Sequence, residues 1–403
     1  MNKGMGSHAA LSRFSGLRAG AGHDGIDLYV LYEELRTFSP VWQSPWEDWY
    51  LTSSQTVERA LIDPACNRLI GKAETAPVDQ MIANYFGDWV IYVDGPMHRQ
   101  LRSDMGRAFT AQRTESLRSL IEKTCRSLLS QQSGKSAEIV AGLTRPLPVL
   151  VISQLIGTPA GDSPLLRKWA VLLRGVLDGN APDADQRKAL EEMWDYFQRL
   201  ISDPAWRSGP AGETFGPLLA SFPLEVAAAN LAFLAFAGHE TTVHLMSSLL
   251  FLLAARPAIW QELRARPELI PDAVTETLRM ESPVQKICRW TNAEVTIGGV
   301  DIPSNQLLVA MLGAANRDPA LFANPDEFEL HRDQRKNVAF GRGVHLCLGR
   351  SLALLEATTL LRVLLESWQS VEVGAGGAFW LKNSSFRGLD KLELRWRNRA
   401  EPN

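Results

Sequence analysis

Phe340-Gly341-Arg342-Gly343-Val344-His345-Leu346-Cys347-Leu348-Gly349 is the stretch from which the rest of the chain is read. A single cysteine lies among three glycines, and the apolar pattern that follows, Gly349 to Trp368, has helical period. Gly341 and Gly343 allow backbone geometry closed to other residues, so the chain can turn tightly and aim the Cys347 sulfur outward as it enters the helix. There the first N–H groups and the positive end of the helix favour a thiolate over a thiol. That suits a metal ligand. The alternative is a small buried hydrophobe, the usual fate of a free cysteine.

The 403 residues are 45% hydrophobic and 22% charged, with a net charge of −3. This is an ordinary globular composition, long enough for a core that encloses a cofactor. It shows no basic surplus of the kind that marks nucleic-acid binding. Cys66, Cys125, Cys288 and Cys347 lie far apart, without the short pairs of a structural zinc site. So few cysteines in so long a chain suggest a reducing compartment, and the expected location is cytoplasmic. Residues 1–27 read as a flexible lead-in without the apolar run of a signal peptide, and 28–403 as one large domain. The apolar segment Val226 to Ala255 is interrupted by Asn230, His239, Glu240, Thr241, Thr242 and His244, so it reads as a buried helix and no membrane association is expected.

Helical patterns cover Leu28–Leu35, Ser54–Ile62, Glu115–Gln131, Leu147–Ile156, Leu165–Leu177 and Asp185–Ser202, and Val41 to Leu51 is strand-like. Gly71 to Val93 has no firm period, and a loop of that length inside a compact domain is a candidate binding segment. A helix starts near Asp94, with Asp94 as its expected cap and Pro96 in its first turn. His98 and Arg102 share one face of it and suit an anionic group. In the central helix, Gly238 weakens the interior and Glu240-Thr241-Thr242 brings polar groups into an apolar segment. Small residues at Ala237 and Gly238 would let a flat ligand approach the backbone, and the Thr241 hydroxyl can bond into the helix. A further helix opens near Asp272 and carries Glu276 and Arg279 three apart. Pro283 to Pro303 alternates as a strand, which puts Gln285, Ile287 and Arg289 on one face. Lys286 and Cys288 fall on the other, where Lys286 is expected to be solvated.

These motifs resemble the cytochrome P450 family. Phe340-x-x-Gly343-x-x-x-Cys347-x-Gly349 resembles its haem-binding loop, and Ala237-Gly-x-Glu240-Thr241-Thr its oxygen-activation motif. Glu276-x-x-Arg279 with Arg332 resembles its structural network, and His98-x-x-x-Arg102 its propionate-binding pair. The resemblance runs from about Leu28 to the end. It implies a mainly α fold with a smaller β-rich part, and haem b held by Cys347 as the axial iron ligand. Phe340 and Gly349 frame that loop, and His98, Arg102, Arg289 and His345 hold the propionates. Glu240 and Thr241 would support proton delivery to bound dioxygen, with no role assigned to His239. Two departures occur: Asn305 stands where a glycine is common, a residue that also tolerates a left-handed turn. Gly95 stands where a second proline is common, which bears on the stiffness of the helix start.

The implied activity is that of a soluble, bacterial-type monooxygenase that uses O2 and two electrons to hydroxylate, epoxidise or oxidatively cyclise a hydrophobic small molecule. A biosynthetic step on a natural product is the preferred substrate class. Electrons would come from a separate ferredoxin and ferredoxin reductase, docking where Arg99, Arg107, Arg113, Arg342 and Arg350 surround the thiolate side. A monomer is expected. Met81, Ile82, Phe86, Trp89 and Ile91 in the irregular loop are candidate pocket residues, as are Phe233 and Leu234 on the central helix. Ser384, Ser385 and Phe386 at a break in the strand-rich tail, Ala378 to Trp396, complete an apolar lining of the usual kind. Two alternatives differ in chemistry: a peroxide-driven haem enzyme, and a non-enzymatic thiolate-haem sensor of gas or ligand. The Glu240-Thr241 pair speaks against both.

Overall fold

The computed structural model describes Phe14 and residues 27–68, 86–132, 134–177 and 182–399. The chain begins with α1 (Leu28–Phe38), whose first N–H groups are capped by the Asp27 side chain. It continues through β1 (Val41–Gln43), β2 (Trp49–Leu51), α2 (Ser54–Ile62) and β3 (Cys66–Asn67). Next come α3 (Gly95–Gly106), α4 (Ala111–Ser116), α5 (Arg118–Ser130) and β4 (Ser136–Glu138). The pattern expected as one helix from Glu115 is thus two, with the break at Leu117.

The middle of the chain is helical: α6 (Pro146–Ile156), α7 (Ser163–Leu177), α8 (Ala184–Ser202), α9 (Pro210–Ser221) and α10 (Leu224–Ala254). Gly157 ends α6 in the left-handed region at φ +73°, and a side chain there would overlap Ala211. Asp183 and Gln186 form a reciprocal capping box that starts α8. α11 (Pro257–Ala265) and α12 (Ile270–Met280) lead into β5 (Ile287–Thr291), β6 (Val295–Ile297), β7 (Val300–Ile302) and β8 (Leu307–Ala310). After the cysteine loop come α13 (Arg350–Ser367), β9 (Trp368–Trp380) and β10 (Leu389–Asn398). The tail is therefore strand from Trp368 onward, longer than the alternation from Ala378 indicated.

One sheet has the order β1-β2-β8-β5-β3, a second β4-β10-β9, and β6 pairs with β7. The fold is mainly α with a smaller β part. α10 runs through its middle, buried along nearly all its length, and packs against α6, α7, α8, α12 and α13. One core forms where α5, α10, α12 and α13 meet β9 and β10, and a second between α3 and the α6–α9 layer. Burial of apolar side chains at about 25 cal/mol per Å2 drives this packing. Among the described residues no single helix is long and apolar enough to cross a membrane.

Two local expectations resolve differently. Asn305 does take a left-handed turn, at φ 61°, and its N–H donates to the Thr291 carbonyl. Gly95 lies at φ 66°, a conformation closed to proline, so the glycine changes the path of the backbone and not only its stiffness. Asp94 makes no side-chain cap on α3. Its carboxylate instead accepts from the Arg68 backbone N–H and from His345.

Candidate active site

The cysteine loop owes its shape to two glycines. Gly341 and Gly343 lie at φ 69° and 70°, and a Cβ on Gly343 would stand 2.7 Å from the Leu61 carbonyl oxygen at the end of α2. The Cys347 N–H donates to the Phe340 carbonyl across the turn at 2.9 Å. The Cys347 side chain is accessible, although protein surrounds it, so it faces an interior space. Burial pushes its thiol pKa up, against the pull of the Gly349 and Arg350 N–H groups and the Arg102 and Arg350 guanidinium groups. Contrary to the sequence expectation, the helix end does not by itself win. A cation bound at the sulfur would favour the thiolate.

A cluster of positive and imidazole groups flanks this loop. His98 and Arg102 project from α3, and His98 stacks on His345 with ring centroids 4.1 Å apart. His345 Nε2 donates to Asp94 Oδ1 at 2.7 Å. Burial works to raise the Asp94 pKa, but the His345 and Arg68 bonds outweigh it and hold it below the usual range. Arg289 is buried on β5 and its pKa falls to about 9, chiefly by burial and then by repulsion from Arg68. His98 is pushed down to about 4 by burial and by His345 and Arg102. His98 Nε2 is buried without a hydrogen-bond partner. Asp94 is the nearby carboxylate that these groups share. Arg68, which sequence reasoning missed, ties the cluster together by donating to the Ile91 and Cys288 carbonyls. No periodic pattern marks it.

Across α10, Thr241 is half-buried and its hydroxyl donates to the Ala237 carbonyl at 2.8 Å. Glu240 points elsewhere. It is 1% exposed, 3.4 Å from Arg174 Nη1 on α7, 3.6 Å from His239 Nδ1 and 3.8 Å from His244 Nε2. Burial alone would raise its pKa, but His244, His239 and Arg174 bring it below the ordinary value. Gly238 serves a purpose other than ligand approach: a Cβ there would stand 2.9 Å from Ile152 Cδ1 on α6, so this glycine lets two helices close.

Of the candidate pocket residues, Met81 and Ile82 lie outside the described residues. Phe86 and Trp89 are buried in the second core and pack on each other, and Trp89 also contacts the Phe233 ring at 5.0 Å. Leu234 is buried too, whereas Ile91, Phe233 and Ala237 keep partial exposure. Asn230 pins the 86–92 segment to α10 by accepting from the Val90 N–H and donating to the Asp88 carbonyl. Gln285, Ser385 and Phe386 do come together: the Gln285 N–H donates to the Ser385 carbonyl, and Val284 bridges Phe386. The Gln285 side chain, however, is occupied with the Ser282 carbonyl, and Ile287 is half-buried. Cys288 is exposed and Arg289 buried, as alternation requires. Lys286 is not merely solvated. It is half-buried and donates to Ser384 Oγ at 2.7 Å, bracing the turn between β9 and β10. Glu281 braces the same turn by accepting from Arg387.

Glu276, Arg279 and Arg332 form one buried network, with Gln334 as an added member donating to Glu276 at 2.6 Å. Of the arginines expected on the docking face, Arg99, Arg107, Arg113 and Arg350 are exposed. Val344 and Leu346 of the cysteine loop are exposed too, while Arg342 is engaged with Glu58.

A mainly α fold around a buried helix, with an accessible cysteine in a glycine turn ahead of a second long buried helix, points to a haem-thiolate type of protein. The sequence profile described as Cytochrome P450 matches residues 216–373. The biotin biosynthesis cytochrome P450 of Bacillus subtilis (strain 168) is 33% identical over 91% of this chain and 95% of its own. The cytochrome P450 monooxygenase PikC of Streptomyces venezuelae is 31% identical over 93% and 92%. The solved structure of P450BioI in complex with hexadec-9Z-enoic acid ligated acyl carrier protein superposes with a TM-score of 0.86 and 32% identity, covering 92% of this chain and 97% of that one. The chain belongs to the cytochrome P450 family and is a monooxygenase of that family, whose members use haem iron, O2 and electron-transfer partners. The residues present fit haem, a flat group with two carboxylates and an iron: the accessible Cys347 sulfur, the unpartnered His98 Nε2 and the excess of cationic groups over Asp94 supply the complementary donors.

Proposed function

We propose that this enzyme oxidises a hydrophobic small molecule, an intermediate of natural-product biosynthesis, with Cys347 as the axial ligand of haem b. The haem, when bound, supplies the iron at which O2 and two electrons are used. His98, Arg102, Arg289 and His345 would hold it through its carboxylates. Glu240 feeds protons toward the site from its cluster with Arg174, His239 and His244, and the Thr241 hydroxyl, which donates to the Ala237 carbonyl, passes them on. Electrons arrive from a separate ferredoxin and its reductase at the face where Arg99, Arg107, Arg113 and Arg350 ring Val344 and Leu346. Apolar surface within a cationic rim suits an acidic carrier.

The observation that carries this reading is the accessible Cys347 sulfur beside the unpartnered, buried His98 Nε2. Relatives named for polyketide biosynthesis and for cyclomarin C epoxidation support the substrate class. A second reading, that the substrate is an acyl chain delivered on a carrier protein, is favoured by the similarity to the P450BioI complex.

The test is the absorption spectrum of purified protein, ferric and then reduced under carbon monoxide, with titration by free hydrophobic compounds and by acyl-carrier thioesters. The expected result is a red-shifted thiolate-type band lost in Cys347→Ala, with a spin-state shift for one of the two substrate forms. Absence of that band in folded protein refutes the ligand assignment. Turnover at full rate on peroxide alone, without a carrier, would refute the role of separate electron donors.

A further inference from the structure

His239 occupies a position to which the motif assigns nothing, yet its geometry is specific. Its side chain is 1% exposed, and its Nε2 lies 3.2 Å from the Arg145 backbone carbonyl, just before α6. A carbonyl only accepts, so Nε2 carries the hydrogen. In the neutral ring Nδ1 is then a bare acceptor. That atom faces Glu240 Oε1 at 3.6 Å, and both are buried without a hydrogen-bond partner. Two acceptors aimed at each other are satisfied by a proton between them, or by a water that donates to each. Glu240 Oε2 lies under His244 Nε2 and Arg174 Nη1, atoms that are likewise buried and unpartnered.

We propose that His239 is a positioning residue that relays the next proton to Glu240 through Nδ1, its tautomer fixed by the Arg145 carbonyl. Protonation at Nδ1 gives an imidazolium with both N–H groups bonded, one to Arg145 O and one to Glu240 Oε1. On delivery the Nδ1–H bond breaks and an O–H bond forms on Glu240. The ring returns to neutral, the carboxylate is neutralised, and a water refills Nδ1. Burial holds the His239 pKa below its ordinary value while Glu240 raises it, so Nδ1 is bare at rest and carries the proton only in transit.

The charged groups facing the pair come from each neighbouring element. Arg174 and Arg167 lie on α7, Arg145 precedes α6, and His244 follows on α10 itself. The half-exposed Asp390 on β10 pairs with the mostly buried Arg145 at 3.5 Å. Arg174 and Arg145 acting on the Glu240 carboxylate, with Arg167 acting on His239, keep the resting pair from holding a proton permanently. The Asp390–Arg145 pair brings the cluster to the protein surface.

The proposal rests on the role given to Glu240 above, but its first test does not. Nitrogen NMR of the histidine rings in the ferric enzyme should show His239 protonated at Nε2 and bare at Nδ1 at neutral pH. Observation of an Nδ1–H tautomer overturns the proposal, whatever the haem spectrum shows. The second test is His239→Gln, which retains an amide donor for the Arg145 carbonyl and cannot relay a proton. It should keep the thiolate-type carbonyl band and the substrate spin shift, lower the fraction of electrons ending in product several-fold, and raise the solvent isotope effect. The acid limb of the coupling-against-pH profile should disappear. Unchanged coupling, isotope effect and pH profile in His239→Gln would overturn it. Loss of the carbonyl band in the wild-type enzyme would instead refute the haem assignment alone.

Discussion

Replacing Arg279 with methionine tests the most heavily bonded buried charge near the site. Arg279 is 0% exposed and uses all five guanidinium N–H groups. Nε and Nη2 donate to the two Glu276 oxygens, each at 2.8 Å, and the remaining three N–H groups go to the carbonyls of Asn316, Pro325 and Glu327. Glu276 also accepts from Arg332, Gln334 and the Glu329 N–H, so its carboxylate stays charged when Arg279 leaves. Breaking a buried pair from one side costs about 3–5 kcal/mol. The Glu327 carbonyl keeps Arg332 as a donor, but the Asn316 and Pro325 carbonyls lose theirs and push Arg279→Met to the upper end of that range, since each unsatisfied group costs about 1–3 kcal/mol before water re-enters. Against a total stability of roughly 5–15 kcal/mol, the variant should be folded but marginal. Urea unfolding followed by tryptophan fluorescence and by circular dichroism reads the loss. A Glu276→Met/Arg279→Met double variant should lose less than the sum of the singles by about 1–3 kcal/mol. A loss under about 1 kcal/mol in Arg279→Met, the value of a surface pair, would refute the network as the anchor of this segment.

Gly238→Ala should destabilise by about 1–3 kcal/mol through overlap with Ile152, offset by a helix-propensity gain of about 1 kcal/mol. In an Ile152→Val background, where Cδ1 is gone, the same change should become neutral or stabilising in thermal unfolding, and equal losses in both backgrounds would contradict the packing role. His244 has a folded pKa of about 4, lowered by burial against the opposing pull of Glu240. The unfolded chain, with an ordinary histidine near 6.5, therefore binds more protons between those values. Its contribution to stability is complete above pH 6.5, falls as pH drops towards 4, and is flat below. His244→Asn should flatten that window in stability measured against pH, and an unchanged slope would rule His244 out as its source.

The cysteine loop was legible because its requirements are local. Gly343 needs both its left-handed φ and the close approach of the Leu61 carbonyl, and the first of these follows from a turn that has to reverse the chain before α13. Periodicity likewise reported α1, α6, α7, α8 and α10, since each buries one face or all of them. It could not report that the break in the Glu115 helix falls at Leu117, where the replacement bonds are supplied by the Thr114 and Glu115 carbonyls.

What the sequence could not show is which neighbour each special residue serves. Gly238 reads as room for a ligand until Ile152, 86 residues away in the chain, is placed against it. Asp94 reads as a helix cap until His345 arrives from the other end of the chain and takes its carboxylate at 2.7 Å. Glu240 and His244 share a helix face by their spacing alone. Their pKa shifts, however, come from packing: burial lowers His244, and His244 and His239, joined by Arg174 from α7 and Arg145 beside α6, lower Glu240 against its burial. Local rules specify the backbone a residue needs. The protonation state that gives the residue its chemistry is set by groups brought together only by the packing of α6, α7 and β10 around α10. A side chain such as His239, silent in the motif, therefore acquires a defined tautomer from a backbone carbonyl on a different helix.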